Sequence, residues 1–190
     1  MKKEVLIFIS NGYADWEAGY ICAELNKPES GCKVSTVSLT SDNVKSMGGF
    51  TVIPDYNIDS IPSQFEMLIL IGGTTWTDNS AITPLIEKCI QDRVPIAAIC
   101  DATTFLAEHS YLDNIPHTGN SLDYLKKFAP NYKGDTNFIE KQTVSSDYII
   151  TANGTASLEF AREIMKKLDI SPIETIDGWY NFFKNGFYQE

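Results

Sequence analysis

Three runs in this chain, residues 5–9, 67–71 and 94–99, are apolar without alternation, and each ends in a small or turn-forming residue before a stretch with helical spacing. A strand that is apolar on both faces has to be covered on both. A parallel sheet with helical crossovers achieves this. Residues 34–39 and 148–151 add two further strands, and helices are predicted over 16–25, 81–91, 101–108 and 156–168, the last with Thr155 as N-cap. The segment 47–54, with Gly48-Gly49, reads as a hairpin or excursion at the sheet edge. The expected architecture is α/β, a three-layer αβα sandwich around a mainly parallel, flavodoxin-like sheet. No repeat, low-complexity tract or linker breaks it, so residues 1–190 read as one domain. Residues 171–190 form a C-terminal extension rich in aromatics (Trp179, Tyr180, Phe182, Phe183, Phe187, Tyr188), expected to pack on the domain or on a partner subunit because so much exposed ring surface would be sticky.

Composition narrows the function classes. With 190 residues, 43% of them hydrophobic, the chain can bury a full core. A formal charge of −10 without clustered Lys or Arg argues against nucleic acid or an anionic membrane surface as partner. Cys22, Cys32, Cys89 and Cys100 are scattered without a C-x-x-C pair, and only His109 and His117 are available to join them, so neither a metal nor a cofactor is expected. The apolar run after Met1-Lys2-Lys3 is interrupted by Asn11-Gly12 and Asp15 too early for a signal peptide and reads as the first strand of a cytoplasmic protein with reduced thiols.

Cys100 stands where the strand 94–99 turns directly into the helix 101–108, a bend expected to lift its side chain out of the carboxyl edge of the sheet. Access to substrate and the positive end of a helix would favour a thiolate nucleophile there. The competing reading is a buried structural cysteine. In a parallel sheet the loops after residues 9, 71 and 99 share one crevice. The first brings Asp15 and Glu17, and Glu17, shielded from water, would have a raised pKa and, protonated, could donate a hydrogen bond that favours thiolate. The alternative reading is that both acids only favour a helix start. The second loop brings Gly72-Gly73 and Trp76; the N–H groups of Gly73 and Asp101 would form an oxyanion pocket, although Gly-Gly after a strand is also simply a tight turn. Trp16, Trp76, Tyr13 and Tyr56 could line a pocket or could be packing.

The set Asp15-Trp16-Glu17, Ser46-Met47-Gly48-Gly49 with Pro54-Asp55, Ile71-Gly72-Gly73 with Trp76, Ala98-Ile99-Cys100, and Gly154-Thr155-Ala156-Ser157-Leu158-Glu159 resembles the ThiJ/PfpI superfamily over residues 5–168. That superfamily includes the Parkinson's-associated deglycase and shares the class I glutamine amidotransferase-like fold. The resemblance implies Cys100 as the nucleophile-elbow cysteine, Glu17 as the glutamate hydrogen-bonded to it, and Gly73 with Asp101 as backbone oxyanion donors. It further implies a cytoplasmic homodimer, and an activity among those of intracellular peptidases, amidases, chaperones, glyoxalases, deglycases and oxidant sensors.

Two departures from the superfamily bear on mechanism. Where the peptidase-like branch has a histidine after the cysteine, this chain has Asp101, and where the deglycase branch has one some twenty residues on, it has Asn120. An amide binds substrate but does not shuttle protons. His117 is an alternative occupant of the substrate pocket, with Gly72, Trp76 and Asn120, whereas His109 reads as structural. Three functions follow. The first is a cysteine hydrolase or glyoxalase-like enzyme acting on small carbonyls or amides through Cys100 and Glu17. The second is an oxidant sensor or chaperone working through oxidation of Cys100, which needs no histidine. The third, a glutamine amidotransferase, is discounted because residues 154–156 carry no histidine.

Overall fold

A computed structural model describes residues 2–188; Met1 and the last two residues of the aromatic extension lie outside it. The chain runs β1 (Lys3–Phe8), α1 (Asp15–Leu25), β2 (Cys32–Ser38), β3 (Val44–Lys45), β4 (Thr51–Val52), β5 (Tyr56–Asn57), β6 (Met67–Leu70), α2 (Thr83–Asp92), β7 (Ile96–Ile99), α3 (Asp101–Glu108), α4 (Leu122–Phe128), β8 (Thr143–Ser145), β9 (Ile149–Ala152), α5 (Ser157–Lys167) and α6 (Ile173–Asn185). Seven strands form one sheet in the order β5-β2-β1-β6-β7-β9-β8. All neighbours are parallel except the edge pair β8 and β9. The five principal strands thus follow the flavodoxin-like order, and β1 lies between β2 and β6, where the direction of winding reverses.

Continuous apolar strands explain the two cores. Val5 and Ile7 of β1 with Met67 and Ile69 of β6 face Ile21 and Leu25 of α1 and Phe160 and Ile164 of α5. Leu6, Phe8, Leu68 and Leu70 point the other way, onto Leu85 and Ile86 of α2 and Phe105 and Leu106 of α3. Each such side chain, almost fully removed from water, contributes about 2 kcal/mol of transfer free energy. The ladders Phe8↔Leu70, Leu70↔Ala98 and Ile99↔Ala152 bring the carboxyl ends of β1, β6, β7 and β9 to one level. Everything that follows these strands therefore meets at one edge.

A hairpin forms near the expected 47–54, but it pairs β3 antiparallel with β4, turns through Gly49 at φ 88°, and makes a separate two-stranded sheet instead of extending the edge of the main one. Its turn is fixed to α1, because the Gly48 N–H donates to Asp15 Oδ2 at 2.6 Å. Thr155 does not cap α5. Ala156 holds the N-cap position, and the Thr155 hydroxyl turns back to Asn153 Oδ1 at 2.7 Å. The aromatic extension is helical: α6 buries Ile176, sets Trp179 edge-on against Tyr20 of α1, and is tied to α5 by Asp177 with Arg162 and Lys166. Phe182, Phe183, Phe187 and Tyr188 remain exposed. No helix among the described residues is long and apolar enough to cross a membrane.

Candidate active site

Strand β7 passes into α3 without a loop, and Cys100 makes the bend. Its backbone takes φ 58°, ψ −128°, a region that non-glycine residues enter at a cost of about 1–3 kcal/mol and that surrounding structure must enforce. The enforcement is visible. The Cys100 N–H donates to Ala152 O at 2.9 Å, and its carbonyl accepts from both the N–H (2.9 Å) and the hydroxyl (2.6 Å) of Thr103. The half-buried side chain is wedged between glycines. A Cβ on Gly72 would lie 2.5 Å from Cys100 Cβ, and one on Gly154 would lie 2.9 Å from its sulfur. Neither position can accept a larger residue without moving the thiol.

Glu17 comes from the first turn of α1, is 1% exposed, and accepts the Gly72 N–H on Oε2 at 2.8 Å. Its Oε1 is shielded from solvent and has no hydrogen-bond partner among the described residues. Burial pushes the Glu17 pKa up to about 7, opposed by the nearby Cys100 thiol and the Gly72 N–H. The Cys100 thiol, in turn, is pushed up to about 12 by burial and then by the Glu17 charge, with Asn120 and the Asp101 N–H acting the other way. This direction is opposite to the expected thiolate: at rest the sulfur keeps its proton, and Glu17 is the group poised to ionise near neutrality.

Asn120, from the loop before α4, donates from Nδ2 to Cys100 Sγ at 3.5 Å and accepts the Gly154 N–H on Oδ1 at 3.0 Å. Trp16, 53% exposed, donates its indole N–H to Gly154 O at 3.1 Å and so lies over the same loop. The Asp101 N–H faces the sulfur. The Gly73 N–H enters no backbone hydrogen bond in the turn, where Ala14 and Thr74 take the bonds on either side. Trp76 is mainly a core residue, its indole N–H bound to Ile71 O at 2.9 Å, but it also lines a cleft of about 310 Å³ that opens beside Asp101. A second cleft, polar and about 510 Å³, opens on the Asn120 side.

Several expectations are displaced. His117 does not line the crevice: it is fully buried, with Nδ1 on Ile115 O at 2.8 Å and Nε2 on the Tyr132 hydroxyl at 2.6 Å, so neither ring nitrogen is free for substrate. Asp15 is engaged by the hairpin, and Tyr56 sits on the edge strand β5. Trp16, named from the sequence as a possible pocket residue, lies by the thiol through Gly154, whereas the close approach of Gly154 to the sulfur was not read from the sequence, although it falls within the quoted motifs. Nor was Tyr124, whose hydroxyl faces the Asp101 carboxyl.

With this geometry in place, the comparisons are decisive for kinship. The pattern of the DJ-1/PfpI family matches residues 3–167. The chain belongs to the DJ-1/PfpI family. It is 41% identical over 187 residues to the uncharacterized protease YdeA of Bacillus subtilis, covering 98% of this chain and 93% of that protein. To the uncharacterized protease YoaZ of the same organism it is 37% identical, over 96% and 91% of the two chains. Among solved structures, a thiJ/pfpI family protein from Bacillus anthracis superposes with a TM-score of 0.88 at 38% identity, over 97% of this chain and 91% of that one. The DJ-1 superfamily protein Atu0886 from Agrobacterium tumefaciens gives 0.86 at 28% identity, over 95% and 97%.

Proposed function

We propose that this DJ-1/PfpI protein is a cysteine-dependent enzyme acting on small carbonyl or amide compounds, with Cys100 as nucleophile and Glu17 as its proton acceptor and donor. The observation that carries the reading is the pairing of a half-buried thiol with a buried carboxyl whose pKa lies near neutrality. A group titrating close to the working pH is the best compromise between accepting and returning a proton. As Sγ bonds to the carbonyl carbon and the C=O π electrons move to oxygen, the thiol proton passes to Glu17. The Gly73 and Asp101 N–H groups stabilise the oxyanion. Glu17 then returns the proton, to the oxygen of an aldehyde adduct or to the nitrogen leaving an amide. In the second case water, giving a proton to Glu17, attacks the thioester carbon, the C–S bond breaks, and the sulfur takes the proton back as the acid leaves.

Oxidation of Cys100 and attack by it both draw on its thiolate, and Glu17, as acceptor of the thiol proton, serves the attack. The same reading has the protein working as a cytoplasmic homodimer, the dimer being checked by sedimentation. The enzymatic test is turnover of dicarbonyls and of small peptide anilides by the parent, Cys100→Ala and Glu17→Gln, with mass spectrometry of the trapped adduct. Activity should vanish in the first variant and fall about 10²–10⁴-fold in the second. Turnover that survives Cys100→Ala would overturn the proposal.

A further inference from the structure

The 310 Å³ cleft beside Asp101 has a definite chemical character. Its walls include Trp76, Phe105, Tyr124 and Phe128; its acids are Asp101 and Glu108, no Lys or Arg lines it, and its one basic side chain, His109, has Nδ1 engaged with Phe105 O at 2.9 Å. Asp101 Oδ1 is shielded from solvent and has no hydrogen-bond partner among the described residues. Glu108 is held in place by Asn131, whose backbone N–H and side-chain amide donate to its two oxygens at 3.0 and 2.5 Å. The Asp101 carboxyl is otherwise met by the Tyr124 and Thr104 hydroxyls and, among the described residues, by no cation; a partly desolvated carboxylate is unfavourable without a cation as counter-charge. Aromatic faces add attraction for the same kind of group, and at the outer end of the cleft the Lys127 ammonium already sits 5.0 Å from the Phe128 ring centroid.

We propose that this cleft selects substrates bearing an ammonium or guanidinium group next to the reacting carbonyl, with the Asp101 carboxyl as counter-charge. The inference rests on Cys100 being the nucleophile, and it adds the substrate class. Asp101 links the two functions because its backbone N–H faces the sulfur while its side chain borders the cleft. A cation bound there stands one residue from the attacking atom. An anionic substrate meets Asp101 and Glu108 there.

The test uses three methanethiosulfonates that deliver groups of different charge to a thiol: 2-aminoethyl, methyl and 2-sulfonatoethyl. Rates of Cys100 modification are followed by peptide mass mapping at 0.15 M salt, in the parent, Asp101→Asn, Glu108→Gln and Glu174→Gln. Ratios between reagents cancel any change in thiolate fraction that a variant causes. The cation should react at least about tenfold faster than the anion in the parent. That ratio should fall at least about threefold in Asp101→Asn, fall less in Glu108→Gln, and persist in Glu174→Gln, which removes an exposed charge on α6 and so controls for the net charge of −10. A ratio near one, or an equal fall in Asp101→Asn and Glu174→Gln, overturns the inference while leaving the nucleophile reading intact. Failure of all three reagents to reach Cys100 overturns the nucleophile reading itself. Should Asp101→Asn fail to fold, Glu108→Gln against Glu174→Gln decides the matter: only a larger fall in Glu108→Gln supports the cleft.

Discussion

Glu17→Gln should change how stability depends on pH more than it changes stability at any one pH. In the unfolded chain the carboxyl titrates near 4.5, and in the folded protein burial raises it to about 7. The folded state therefore binds a proton that the unfolded state releases, so stability present below pH 4.5 is lost as pH rises through 7. That interval, at about 1.4 kcal/mol for each tenfold change in the ionisation equilibrium, amounts to about 3 kcal/mol between pH 4 and pH 8. Glutamine cannot ionise, and its Oε1 can still accept the Gly72 N–H. The assay is urea unfolding of both proteins under reducing conditions at pH 4 and pH 8. Other titrating groups are shared and cancel in the difference. The variant should gain about 3 kcal/mol on the parent over this range. A gain below about 1 kcal/mol, or one of opposite sign, would refute the claim that burial of Glu17 outweighs the Gly72 N–H and the Cys100 thiol in setting its ionisation.

Two further outcomes follow from the packing around the thiol. Gly72→Ala places a methyl 2.5 Å from Cys100 Cβ and 2.6 Å from Glu17 Oε2, and should lower unfolding stability by about 1–3 kcal/mol, or more if the strand cannot shift, as read by a denaturant melt. At position 100 the usual order of small residues should invert: Cys100→Gly is expected to be about 1 kcal/mol more stable than Cys100→Ala, because φ 58°, ψ −128° suits glycine alone. Alanine proving the more stable would mean that the bend carries no strain.

The doubly apolar strands β1, β6 and β7 were legible because burial on both faces leaves an unbroken hydrophobic run, and from them the order of layers followed. The α6 helix was not: the segment stood out only as an aromatic extension, and what holds it is tertiary, namely Ile176 in the core and Asp177 between Arg162 and Lys166. Short elements such as β5 and α4 carry too few residues for a period to show, although Ser121, which accepts the Tyr124 N–H at 3.0 Å, is an N-cap that could have been read. Within the site, the placement of Cys100 and Glu17 followed from the topology. The direction of the Cys100 pKa did not, because it depends on depth of burial and on a neighbouring charge. His117 went astray for a similar reason, since only the fold reveals that Tyr132 and a backbone carbonyl occupy its ring.

Asn120 holds sulfur and loop together through two bonds whose polarity is fixed. Its oxygen is committed to the Gly154 N–H, which leaves its NH₂ facing Cys100 in acid and in alkali alike. An imidazole in that place would offer a hydrogen to the sulfur in one protonation state and withdraw it in another. This chain has a constant donor instead, and acid-base change around the sulfur is left to its carboxyls, Glu17 foremost. On the proposed chemistry, such a centre takes its pH response from Glu17 with no imidazole beside it, and a shift in that carboxyl would move the working range with it.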